Sequence, residues 1–328
     1  MSDTVNGVLI YAEQNEGEIH PVSYELLNKG RILADELNTN LASIVLGPED
    51  LDVDELIYRG SDQVFYITHE KFSEPDLVLY KNNLKHYIKS KINPEIILLG
   101  ATPFGRSLAP RLAISLDAGL TADCTDLQID PSDNRLVQIR PAFSENILAH
   151  IKTTSDLQMA TVRYKEFAEA ERDEERSGEI TKEVSEIMED SGLEIMERLA
   201  GKDVNITEEE VIVAGGKGLK SPEDFSLLRD LADKLNGELG ASRDVVDEDY
   251  IGKEHQVGYS GHRVKPVIYI AFGISGAPQH LAGMKESDTI IAVNNDPSAP
   301  IFEHCDYGIV ADLYDVIPAW LDKLEKVE

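Results

Sequence analysis

Short apolar runs alternate with longer amphipathic stretches along most of the chain. In the first half the runs are VLIYAE from Val8, ASIVLG from Ala42, QVFYIT from Gln63 and EIILLG from Glu95. Each is brief and almost continuously apolar, which predicts strands buried on both faces of a parallel sheet. The stretch PVSYELLNKGRILADEL places Val22, Leu26, Leu27, Ile32, Leu33 and Leu37 at helical spacing. DLDVDELIYRG and DLVLYKNNLKHYIKSK are further amphipathic connectors, and FGRSLAPRLAISLD reads as a helix that Pro110 would kink. LVQIRPAF, NILAHI and MATVRY are expected to be strands that close this domain. Strand–helix alternation implies right-handed crossovers.

The second half restarts the pattern. VIVAGG is a strand ending in glycines, and SPEDFSLLRDLADKLNG is a helix with Ser221 as N-cap, Pro222 at the first helical position and Gly237 at its end. ELGASR, VIYIAF, TIIAVN and YGIVAD are predicted strands, with helices over APIFEHC and DVIPAWLDKLEK. The fold class expected is α/β: an N-terminal α/β domain with a parallel sheet, residues 1–200, then a doubly wound nucleotide-binding domain, residues 201–328.

Charge sharpens the boundary. The formal net charge is −30, and residues 166–210 carry 17 acidic and 5 basic side chains. That segment reads as a solvated linker or exposed face. So acidic a chain is a poor match for a nucleic-acid backbone. No apolar run is long enough to span a membrane, so no membrane insertion is expected. The N-terminus has no secretory pattern, so the cytoplasm is the expected location. Cys124 and Cys305 are far apart and outside any CxxC, which argues against a disulfide framework or a zinc site.

In a doubly wound sheet, ligands lie at the carboxyl ends of strands. Non-structural residues gather there: Gly215–Gly218, then Ser242–Arg243, then GISGAPQH from Gly273, then Asn294–Asp296, then Asp312–Leu313. In GISGAPQH, Gly273 and Gly276 permit a tight turn, and Pro278 pre-sets a helix start whose free amides suit a diphosphate. An ordinary strand–helix turn remains the alternative, because GxGxxG is absent. His280 is either a satisfied structural histidine or a donor to a ligand. Arg243 either pairs with a carboxylate or faces an anion. QVGYSG, from Gln256, is a second polar turn. No Ser-His-Asp order, HExxH, P-loop or metal-spaced histidine cluster occurs, so no catalytic or metal-binding residue is assigned.

With these residues in view, the chain resembles the alpha subunit of electron transfer flavoproteins. The likeness is densest from AGGKGLK through ASR and QVGYSG to YIAFGISGAPQHLAGMKESDTIIAVNNDPSAPIFEHCDYGIVADLYDVIP, and GATPFGRSLAPRLAISLDAGLTADC extends it into the first half. The resemblance implies FAD held by the C-terminal domain and a beta subunit as obligate partner, with the N-terminal domain packed on it. Carried over residue by residue, the FAD contacts are Lys217, Ser242, Arg243, Val257, Gly258, Tyr259 and Ser260. They continue with Ser275, Gly276, Ala277, Pro278, Gln279, His280, Asn294, Asp312 and Leu313. Ser260 would lie near the flavin N5 edge, Arg243 over the ring and His280 near the pyrimidine carbonyl. Asn294 and Asp312 would serve the adenosine end.

Lys217 stands where the family usually has Arg, Tyr259 where Gln is common, Pro278 where Ile is frequent, and Ser144–Glu145 where many relatives carry paired glycines. EQNEGEIHPVSYELLNKGRILADEL and GLTADC look closer to forms from anaerobic bacteria. The implied function is an FAD electron carrier accepting electrons from dehydrogenases such as acyl-CoA dehydrogenase. One alternative is the alpha subunit of an electron-bifurcating pair that oxidises NADH with ferredoxin and a second acceptor. From other classes, a sirtuin-like NAD-dependent deacylase and a nucleotide-sensing protein share the fold pattern, though the deacylase's zinc cysteines are missing.

Overall fold

A computed structural model describes residues 7–15, 17–142, 144–193, 196, 205–324 and 326. The backbone divides into two compact units, residues 1–196 and 197–328. The expected boundary near residue 200 lies outside the described residues.

The first unit is built on seven strands in the order 179–184, 63–68, 40–47, 7–11, 96–100, 158–162 and 119–124. All adjacent pairs are parallel. Strand Gly7–Tyr11 is central and wholly buried, as its unbroken apolar run requires. Helix Val22–Leu37 covers one face through Leu26, Leu27 and Leu33, while helices Leu77–Tyr87 and Pro103–Leu116 cover the other. Pro110 is accommodated within its helix, which runs through to Leu116.

Three features depart from the sequence pattern. GLTADC and DLQID are strands, Gly119–Cys124 and Asp126–Asp130, where none was expected. Strands Asp126–Asp130, Arg135–Ala142 and Ser144–Ile151 form a separate antiparallel sheet, so two of the three expected closing strands leave the main sheet. The acidic segment supplies strand Glu179–Val184 at the sheet edge, four of its six residues exposed, with no helix among its described residues.

The second unit carries five parallel strands in the order 238–241, 211–215, 268–272, 289–294 and 307–310. Helices Phe225–Lys234 and Leu313–Leu324 pack one face through Leu228, Leu231 and Ile317. The expected APIFEHC helix shrinks to a single 3-10 turn, Pro300–Glu303, since only Ile301 in that turn is buried.

Candidate functional site

In the second unit the chain's first strand lies between its second and third. Winding direction therefore reverses between Val211–Gly215 and Ile268–Phe272, and loops leaving their carboxyl ends diverge to open a crevice. Two glycine-containing loops meet at its floor. Gly216 N–H donates to the Phe272 carbonyl at 3.0 Å, and Gly218 N–H to that of Gly273 at 2.9 Å. Gly273 has φ 61°, and a Cβ there would sit 2.6 Å from the Gly218 Cα. Loop-to-loop backbone contact therefore requires this glycine.

The cleft has a volume of about 780 Å³, within the range of cofactor sites. Its walls include Lys217, Ser242, Arg243, Ser275, Ala277 and Asn294. Val257, Gly258, Tyr259 and Ser260 form another side, with Gln279 and His280 completing the set of expected residues that meet there. Gly276, Pro278, Asp312 and Leu313 do not line it. Gly276, with φ 86°, packs against the backbone of Ile301, and Pro278 opens a one-turn helix, Pro278–Leu281. Asp312 accepts from Tyr314 N–H at 3.0 Å, and Leu313 is buried against the Gly218–Gly273 contact. Asp244, Asp247, Ala299 and Pro300 also line the cleft and were not expected. The two aspartates follow Arg243 on helix Arg243–Asp247, and i,i+4 spacing from Arg243 was the available signal for Asp247.

Polar groups in the cleft fall into two kinds. The first are committed to the protein. Asn294 donates from its amide to the Ile274 carbonyl at 2.9 Å and accepts from Asp296 N–H, so it pins two loops together. Gln256 donates to Ser260 Oγ at 3.0 Å. Arg243 Nε donates to Asp247 at 3.0 Å, and Lys217 pairs with Glu248. That carboxylate holds the ammonium above its ordinary pKa.

The second kind are open. Among the described residues, the backbone N–H groups of Ser275, Ala277 and Gln279, which line the cleft, donate to no protein acceptor. His280 is buried; its Nε2 lies 3.0 Å from Tyr269 Oη, and its Nδ1 has no hydrogen bond of good geometry. Burial lowers its pKa to about 4, opposed by the nearby Val257 carbonyl, so the imidazole is neutral at pH 7. An anion with an attached apolar ring system fits such a site. Loop amides take the anion without a buried cation, and an unpaired ring nitrogen takes a polar edge.

In the first unit the corresponding point of reversal lies between strands Gly7–Tyr11 and Ile96–Gly100. Buried Glu13 accepts there from Thr102 Oγ1 at 2.7 Å.

Residues 8–186 match the electron transfer flavoprotein domain, and residues 205–285 match the electron transfer flavoprotein FAD-binding domain. The chain belongs to the electron transfer flavoprotein family. It is 43% identical over 327 residues to the electron transfer flavoprotein subunit alpha of Thermoanaerobacterium thermosaccharolyticum, covering 98% of each chain. It is 41% identical to the subunit alpha of Megasphaera elsdenii, over 98% of this chain and 96% of the relative. It is also 39% identical to the lactate dehydrogenase (NAD(+),ferredoxin) subunit LctC of Acetobacterium woodii, over 98% of this chain and 78% of the relative.

This electron transfer flavoprotein chain is an alpha subunit that binds FAD and relays electrons as part of a heterodimer with a beta subunit. The likeness to flavoproteins runs the length of the chain, and nothing supports the deacylase or nucleotide-sensor alternatives. Among the described residues, no helix is long and apolar enough to cross a membrane.

Proposed function

We propose that the cleft between Lys217 and Pro300 holds the FAD. The observation that carries this reading is the set of unpaired N–H groups of Ser275, Ala277 and Gln279 in the cleft wall, at the point where the sheet reverses. Those amides would hold the diphosphate. Arg243 and Lys217 would balance charge at the rim, and Val257–Ser260 with His280 would enclose the ring. Asn294, by bracing Ile274 and Asp296, shapes the adenosine end. Asp312 and Leu313 support the loops from outside the cleft. Bound FAD supplies the redox chemistry, while the chain binds it, orients it and limits water access.

The donors we assign are dehydrogenases of the acyl-CoA type, with the complex working in the cytoplasm and the first unit packed on the beta subunit. A second reading is favoured by the LctC relative, whose name couples NAD and ferredoxin. Under it the pair bifurcates electrons from NADH. Flavin counting on the purified heterodimer, with NADH-dependent ferredoxin reduction, separates the two.

Ala277→Pro tests the cleft itself. Ala277 has φ −57°, already suited to proline, so the change removes one N–H with little change in that torsion. The FAD-to-heterodimer ratio after gel filtration should fall well below that of the parent protein. An unchanged ratio would overturn the assignment of these amides to the diphosphate.

A further inference from the structure

Both cations in the cleft wall are tied to carboxylates of one short segment. Arg243 pairs with Asp247, one helical turn on, and Lys217 pairs with Glu248. Asp247 lines the same cleft as Arg243. The pair uses Nε alone; among the described residues the Nη groups of Arg243 have no partner. A guanidinium carries five N–H donors, so holding Nε fixes its plane and leaves four for a ligand. Asp244 and Asp296 also line the cleft, so its charged side chains are two basic and three acidic.

We propose that Asp247 is a positioning residue that acts through Arg243. It holds the guanidinium by Nε at the cleft wall and offsets its charge, keeping the reduction potential of the bound FAD lower than Arg243 alone would set it. This rests on the reading that the cleft holds FAD. Reduction adds negative charge to the site, so a positive field favours it and a nearby carboxylate opposes it. Removing the carboxylate raises the local charge by one whatever rotamer Arg243 adopts, and that fixes the sign. Both side chains are more than half exposed, so the ion pair itself contributes little to folding. The substitution is therefore tolerated by the fold.

The test is Asp247→Asn in the FAD-loaded heterodimer, titrated against redox dyes of known potential. At a fixed one-electron poise the reduced-to-oxidised ratio should rise about threefold to tenfold, equivalent to ~30–60 mV. Asp247→Glu should restore a ratio close to the parent's. In the FAD-free heterodimer, exchange of the Arg243 Nε proton, read by nitrogen-edited NMR, should accelerate in Asp247→Asn and not in Asp247→Glu. Arg243→Ala is the control for the action of Arg243 on the flavin and should lower the ratio. If Arg243→Ala leaves it unchanged while FAD occupancy is retained, Arg243 does not act on the flavin and the role of Asp247 through it is overturned. Loss of the cleft reading itself would show instead as FAD occupancy that Ala277→Pro leaves unchanged. If Arg243→Ala lowers it while Asp247→Asn leaves it flat or lowers it too, the role of Asp247 alone is overturned.

Discussion

Tyr269 Oη lies 3.0 Å from His280 Nε2, and both side chains are buried. Burial pushes the Tyr269 phenol far above its ordinary pKa and pulls His280 down, so both are neutral and the contact is an uncharged hydrogen bond. Tyr269→Phe would leave a buried ring nitrogen unpaired, which costs about 1–3 kcal/mol. Urea unfolding of the FAD-free heterodimer, read in the second unit, should show that loss. An unaltered midpoint would mean the two groups are not paired in solution.

Glu25 gives the first unit a pH dependence of defined sign. Its carboxyl is buried and accepts from the N–H groups of Lys165 at 2.9 Å and Phe167 at 3.3 Å. Burial raises its pKa to about 7, against the downward pull of those amides. The folded state therefore binds the proton more tightly than the unfolded state. The resulting stability is fully present below the unfolded value near 4.5 and is lost as pH rises through 7. Glu25→Gln should flatten this slope, which amounts to up to about 3 kcal/mol. His280 acts oppositely in the second unit, where stability should rise with pH between about 4 and 6.5. Unfolding midpoints across pH 4.5–8, followed separately in the two units, check both signs.

Gly276→Val should empty the cleft without disturbing the first unit. A Cβ at Gly276 would meet the Ile301 backbone nitrogen at 2.5 Å, and φ 86° is hostile to a β-branched residue. The Ser275–Ala277 loop must shift, and its amides with it. Flavin-to-protein ratio should drop severalfold while far-ultraviolet circular dichroism of the heterodimer is retained. Full occupancy would show that the loop is not needed for binding.

Arg243→Ala should lower the first reduction potential by ~40–90 mV, for a loss of roughly 1–2 kcal/mol of charge stabilisation. Arg243→Lys should fall between, since charge remains and the planar fork is lost. Spectroelectrochemical titration measures this. Equal potentials in all three proteins, with only stability altered, would confine Arg243 to its pairing with Asp247.

The sequence by itself determined the alternation of buried strands and amphipathic helices, the restart of that pattern in the second half, and most of the loops that meet in the cleft. Continuous apolar runs such as VLIYAE and VIYIAF have few other stable placements than a covered parallel sheet, because their backbone groups must pair and both faces must be shielded. Tertiary structure alone decided which strand lies beside which. GLTADC mixes apolar and polar residues, so its pairing with Gln158–Val162 rests on long-range contact and leaves no local periodicity to read. Asp126–Ile151 leaves the main sheet for the same reason, since an antiparallel sheet and a main-sheet edge favour similar patterns. At the site, sequence could not separate the glycine that faces a ligand from the one that lets two loops touch. Gly276 permits Ile301 to approach, and Asn294 spends its amide on Ile274, facts of packing that depend on which loops the sheet order brings together.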